Sequence, residues 1–136
     1  MQGAMAFQKG LGCVHSLSHS LGGVDPRLHH GTLNAMFLPA VVRFNAEADS
    51  IRGERRLQRL AQAIGLPGCD AAGTELAAAL RDMNARLGLP TGLAAMGVTR
   101  GQFERVIDGA VADHCHKTSP RLASRDDYAR MLEESL

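Results

Sequence analysis

The chain has 136 residues, 45% of them apolar, enough for one hydrophobic core and too few for two large domains. Fifteen Lys and Arg balance fourteen Asp and Glu for a net charge of +1, so no overall field recruits nucleic acid or an anionic membrane. Three cysteines without a C-x-x-C pair indicate neither a disulfide framework nor a zinc ribbon, and a reducing cytoplasm is the expected compartment. The opening MQGAMAFQKGLGCVH holds no long apolar run. The longest one, AMFLPAVV at 35–42, falls far short of the roughly 20 residues of a membrane-spanning helix.

Period-two alternation is nearly absent, and apolar residues recur at three and four, which predicts an all-α chain. The segment 31–45, GTLNAMFLPAVVRFN, is apolar on nearly every side and reads as a central, buried helix bent at Pro39. Arg52, Arg55, Arg56 and Arg59 fall on one helical side and read as a solvated face. Leu57, Leu60, Ala61 and Ile64 form a stripe closed by Gly65 and Pro67, and Leu76, Leu80, Met83 and Leu87 form another, ended by Gly88 and Pro90. Thr99 with Gln102, and Ser124 with Asp127, are capping-box pairs. The first opens the stripe Phe103, Val106, Ile107, Ala110 and Val111; the second opens Tyr128, Met131 and Leu132. The Gly/Pro breaks at 65–73 and 88–98 join helices, so residues 1–136 read as a single helical domain.

The chemistry concentrates in HSLSHSLGGVDPRLHHG, His15 to Gly31, which carries four of the six histidines. On a helix His15 and His19 stand one turn apart on one side and could offer two nitrogens to one ion. The metalloprotease form of this spacing needs Glu after the first histidine, and Ser16 stands there, so that chemistry is rejected. Glycines and a proline then turn the chain so that His29 or His30 could fold back toward His15. Asp25 is the one acid inside the cluster, and spacing alone leaves metal binding, acid/base work and simple surface histidines open. His114, Cys115 and His116 form a second group. It reads chiefly as a helix end, with a pocket-wall or proton-relay role and a second metal site as the alternatives. Cys13 and Cys69 read as small buried or half-buried hydrophobes.

The run GLGCVHSLSHSLGGVDPRLHHGTLNAMFLPAVVRFN resembles the signature of the iron-containing (group III) alcohol dehydrogenases, with His-x-x-x-His-x-x-Gly, His-Gly, and an apolar Leu-Pro helix ending in Phe-Asn. AFQKG resembles the helix before that signature, IGLPGCDA and LGLPTGLAAMGVT the family's connectors, and HCHKTSPRLASRDDYARMLEESL its closing segment, with Ser119 where the family usually has Asn. The resemblance implies a helical bundle corresponding to the C-terminal, dehydroquinate synthase-like domain. It implies metal ligands at His15 and His30, with His19 beside the reacting groups as the catalytic residue. The gap after His19 is one residue longer than in the commonest members. Counting from His19 would choose His29, but Gly31, Asn34 and Pro39 keep the family register and favour His30.

The activity so implied is hydride transfer between an alcohol or aldehyde and NAD or NADP. A divalent metal, iron(II) first and zinc second, acts there as Lewis acid on the alcohol oxygen. The resemblance also implies an N-terminal nucleotide-binding half that supplies a Gly-rich turn and an Asp and a His for the metal. Neither motif occurs in these 136 residues, so the chain reads as a fragment inactive alone, with that half as its missing partner. The alternative is a stand-alone helical module that binds metal or protein without catalysis and self-associates into a homo-oligomer through the apolar surface left bare.

Overall fold

The computed structural model describes Met5 and residues 8–136, and among these the ordered elements are all helical. The α-helices are α1 (Gly12–Val24), α2 (His30–Asn45), α3 (Asp49–Gly53), α4 (Arg56–Ala63), α5 (Thr74–Arg86), α6 (Phe103–Ala112) and α7 (Arg125–Ser135). Short 3₁₀ turns stand at Ala94–Met96, Arg100–Gln102 and His114–Thr118. The helix expected over AFQKG falls partly on Ala6 and Phe7, outside the described residues, and residues 8 and 9 form a turn.

Helix α2 is the axis of the bundle, packed on α1, α5 and α7. Leu33, Met36, Phe37, Ala40 and Val41 join the main core with Leu17 and Leu21 of α1, Val106 and Ile107 of α6, and Tyr128 and Leu132 of α7. Its last turn feeds a smaller cluster in which Val42 and Ala46 meet Leu57, Leu76 and Leu80. Pro39 lies inside this buried helix and has no N–H to give to the carbonyl four residues back. That carbonyl, Ala35 O, accepts instead from Asn84 Nδ2 of α5 at 2.9 Å, which explains a buried Asn on an otherwise apolar stripe. Asn84→Ala leaves the Ala35 carbonyl buried without a donor and opens a small void. We expect it to lower unfolding stability by about 1–3 kcal/mol in a denaturant titration, a loss that Asn84→Gln restores in part if the longer amide still reaches.

Both capping boxes form, although Thr99 and Gln102 open a 3₁₀ turn that leads into α6 rather than α6 itself. The outer ends of the stripes depart from expectation. Leu60, Ile64, Met83, Leu87 and Val111 are exposed, because the buried face runs through Leu57 and Ala61 on α4, Leu76, Leu80 and Asn84 on α5, and Val106, Ile107 and Ala110 on α6, which leaves these residues at its edge. The Arg52–Arg59 face is also broken: Arg55, at φ 51°, separates α3 from α4, so the four guanidiniums do not share one helix.

Helices α1 and α6 approach closely enough that a Cβ on Gly109 would lie 2.2 Å from Ser20 Oγ, and that hydroxyl donates to Val106 O at 2.7 Å. This contact matters for the site, because one turn beyond Gly109 the chain reaches Asp113, alongside the histidine-bearing side of α1. No described helix is long and apolar enough to cross a membrane.

Candidate metal centre

The two consecutive helices α1 and α2 bring three of the sequence-picked histidines to one point. Ring centroids lie 5.6 Å apart for His15 and His19, 5.3 Å for His15 and His30, and 5.2 Å for His19 and His30, the last pair stacked at 18°. The physical cause is local: His15 and His19 sit one turn apart on α1, and the D-P-R turn reverses the chain so that the first residue of α2 returns to the same end. His29, the N-cap of α2, is exposed and its imidazole lies over Gly31, so the adjacent pair divides its directions. Asp25 does not join the group. It receives a two-armed contact from Arg27 in the turn, at 2.9 and 2.8 Å, which holds its carboxyl down at about 2.

The hydrogen bonds assign roles to individual nitrogens. Asn34 Nδ2 lies 3.5 Å from His15 Nε2 and 3.1 Å from His30 Nε2, so one amide NH₂ donates toward two imidazole lone pairs. With Nε2 accepting, His30 Nδ1–H faces Ser18 Oγ at 3.4 Å, and that hydroxyl passes its own proton to His15 O at 3.3 Å. His15 Nδ1 and Asn34 Oδ1 are buried without partners, an unfinished polar site of the kind a further group completes. Burial, with His30 and His19 nearby, holds the His15 imidazole below its ordinary value and therefore neutral, the form that ligates metal. Two Nε2 atoms converging on one point, with His15 held neutral, fit a divalent ion that takes imidazole ligands.

A third element closes the site from the side. Asp113 Oδ2 accepts from His19 Nδ1 at 3.0 Å, its Oδ1 accepts from Cys115 N at 2.8 Å, and the His114 ring stacks on His19 at 5.9 Å and 23°. Burial pushes the Asp113 carboxyl up, yet the bonds from Cys115 N–H and from His19 outweigh it and leave the group below its ordinary range. Asp113 was not among the residues picked from the sequence, because its 94-residue separation from His19 concealed the pairing. His114 and His116 part company, because His116 is buried with Nδ1 2.9 Å from the Tyr128 hydroxyl. His19, Asp113 and Cys115 place candidate ligand atoms within 4.8 Å of one another, but burial and the neighbouring Asp113 push the Cys115 thiol up to about 11, which disfavours the thiolate a metal needs.

A cleft of about 710 Å³ opens at the opposite end of α2, between Phe44, Arg43, Arg121 and Arg130. Its guanidiniums are already engaged: Arg43 with Glu134, Arg121 with Glu47 and Asp127, and Arg130 with Asp127. Arg121 also lies 4.3 Å over the Phe44 ring, so this network ties α2 to α7.

The family model for the Fe-containing alcohol dehydrogenase family, C-terminal, matches residues 1–136. A 4-hydroxybutyrate dehydrogenase from Cupriavidus necator is 60% identical over 140 residues, which take in all of this chain and 36% of that protein. A NAD-dependent methanol dehydrogenase from Bacillus methanolicus is 34% identical over 136 residues, again all of this chain and 35% of that protein. Among solved structures, a 1,3-propanediol oxidoreductase superposes with a TM-score of 0.81 at 27% identity, over 93% of this chain and 33% of that one. An alcohol dehydrogenase from Oenococcus oeni superposes with 0.82 at 25% identity, over 93% of this chain and 33% of that one. The chain spans about a third of the length of these relatives. On this match, and on an all-helical fold shared with those structures, the chain belongs to the Fe-containing alcohol dehydrogenase family, of which it carries the C-terminal part.

Proposed function

We propose that the chain supplies the metal-holding helical part of an NAD(P)-dependent alcohol dehydrogenase, with His15 and His30 as ligands through Nε2. The observation that carries this is the meeting of both Nε2 atoms at the Asn34 amide. When bound, a divalent ion, iron(II) before zinc, supplies Lewis acidity toward the oxygen of an alcohol or aldehyde. His15 and His30 fix the position at which that oxygen is met, and burial keeps His15 neutral so that its lone pair is available. His19, stacked on His30, stands beside them as the residue that takes or returns a proton. The apolar helix α2 backs the pocket, and NAD or NADP belongs to the part of the enzyme that these 136 residues do not supply. The likeness to the C. necator protein makes 4-hydroxybutyrate the first substrate to assay, ahead of simple primary alcohols.

Equilibrium dialysis with elemental analysis tests the reading. The chain should take up one iron(II) or zinc per 14.5 kDa, weakly, and bind no nucleotide alone. In a protein that joins it to the nucleotide-binding part, NAD(P)H should form from 4-hydroxybutyrate. Stoichiometric metal unaffected by loss of His15 or His30, or metal-free turnover by that protein, would refute it.

A further inference from the structure

Outside the two ligand histidines, the feature that the proposed chemistry leaves unexplained is the effort spent on one ring. His19 is held at one edge and stacked on two neighbouring rings. Asp113 Oδ2 sits 3.0 Å from Nδ1, His30 stacks on one side at 5.2 Å, and His114 stacks at 5.9 Å. Asp113 and His114 come from a single turn, and that turn is pinned at several points. Asp113 Oδ1 accepts from Cys115 N at 2.8 Å, and His116 Nδ1 meets the buried Tyr128 hydroxyl at 2.9 Å. Thr118 Oγ1 donates to Cys115 O at 2.9 Å and accepts from Gly12 N at 3.3 Å, while Cys13 Sγ lies 3.0 Å from Ser119 Oγ. The first residues of α1 and the turn after α6 are thereby fastened together, so the Asp113 carboxylate cannot drift from the helix that carries His19.

We propose that Asp113 is a positioning residue that fixes His19 as its Nδ1–H tautomer and leaves Nε2 as the ring's free lone pair. An ionised carboxylate has acceptors only, so the nitrogen facing it must carry the hydrogen, and a neutral imidazole then has its lone pair on the other nitrogen. Turning the ring over to exchange the two nitrogens would break the Asp113 contact and disturb the stacking on His30 and His114. The inference deepens the reading of this site as a dehydrogenase centre: it names what makes His19, rather than another histidine of the cluster, the residue with a defined proton-handling atom.

The test is long-range ¹H–¹⁵N correlation of the full chain labelled at histidine, recorded without metal at about pH 8, above the ordinary imidazole value of about 6.5. The His19 signals are assigned by their disappearance in His19→Gln. We expect Nδ1 protonated and Nε2 bare. In Asp113→Asn, whose amide can donate as well as accept, the ratio of Nδ1–H to Nε2–H should fall about tenfold or more, and Asp113→Glu should restore it in part. Retention of helical circular dichroism by Asp113→Asn separates this shift from a general loss of structure. If that variant fails to fold, the wild-type spectrum decides alone: Nε2–H at His19 overturns the proposal and Nδ1–H supports it. An unchanged ratio in a folded Asp113→Asn also overturns it. Metal uptake measured on the same samples reports separately on His15 and His30, so failure there would leave the tautomer result standing.

Discussion

His15→Ala should lower the affinity for iron(II) or zinc by more than about 100-fold, beyond the 10–100-fold that loss of a supporting partner typically costs, and His30→Ala should do the same. Each removes one of the two Nε2 donors that the structure brings to one point, and Asp113 and Cys115, held in bonds of their own, do not replace it. The loss is read by equilibrium dialysis, with circular dichroism to show that α1 and α2 persist. His29→Ala is the control, since that imidazole is exposed and lies over Gly31, and its affinity should stay within about threefold of wild type, less than one supporting partner is worth. The same site carries a pH dependence of definite sign. His15 is depressed below its ordinary 6.5 by burial first and by His30 and His19 second, so below that value the unfolded chain takes up a proton that the folded chain refuses. The His15 contribution to stability is therefore fully present above about 6.5 and declines as pH falls through the folded-state value, and metal is lost in the same direction because protons compete for the ligands. Equal losses from His29→Ala and His30→Ala would refute the ligand assignment.

Phe37→Ala is expected to cost about 3–5 kcal/mol in a urea titration, the range for emptying a fully buried aromatic site. Phe37 has no exposure and lies halfway along α2, where the helix is enclosed by α1, α5 and α7. The surrounding side chains are held by the backbone of three helices, so little of the void can close. Against the 5–15 kcal/mol by which domains are usually stable, this removes a large share, and the midpoint should fall with little change in the denaturant dependence. Phe37→Leu, which keeps most of the volume, should retain more than half of the lost stability. A cost below about 1 kcal/mol for Phe37→Ala would mean that α2 is not the centre of the core.

Much of the fold was legible because helix periodicity is a local property. Leu33, Phe37 and Ala40 in an all-round apolar run, and Ser124 with Asp127 ahead of Tyr128, act within a few residues of one another, and both became the structures expected. The outer residues of the stripes were not legible. Met83 and Leu87 have the spacing of core residues, yet which side of a helix meets its neighbour depends on how the two pack, and α5 turns Leu76, Leu80 and Asn84 inward and leaves Met83 and Leu87 at the edge. Asn84 looked like an interruption in a stripe, and its meaning appeared only with Pro39 opposite, since the carbonyl that needs a donor lies 49 residues away in sequence.

The candidate site divides in the same way. The sequence by itself determined that His15 and His19 share a side of one helix, that a Gly/Pro turn lets His29 or His30 fold back, and that the pattern resembles a metal-dependent dehydrogenase family. It also left room for only one core. Tertiary structure alone decided that His30 and not His29 enters the cluster, that Asn34 joins the two Nε2 atoms, and that Asp113 and His114 enclose His19. The physical reason is that spacing along a helix fixes direction only relative to that helix. Which directions from two helices meet is set by the angle and depth at which they pack, here by a glycine–serine contact between α1 and α6 and by a buried α2, and those depend on the whole core at once.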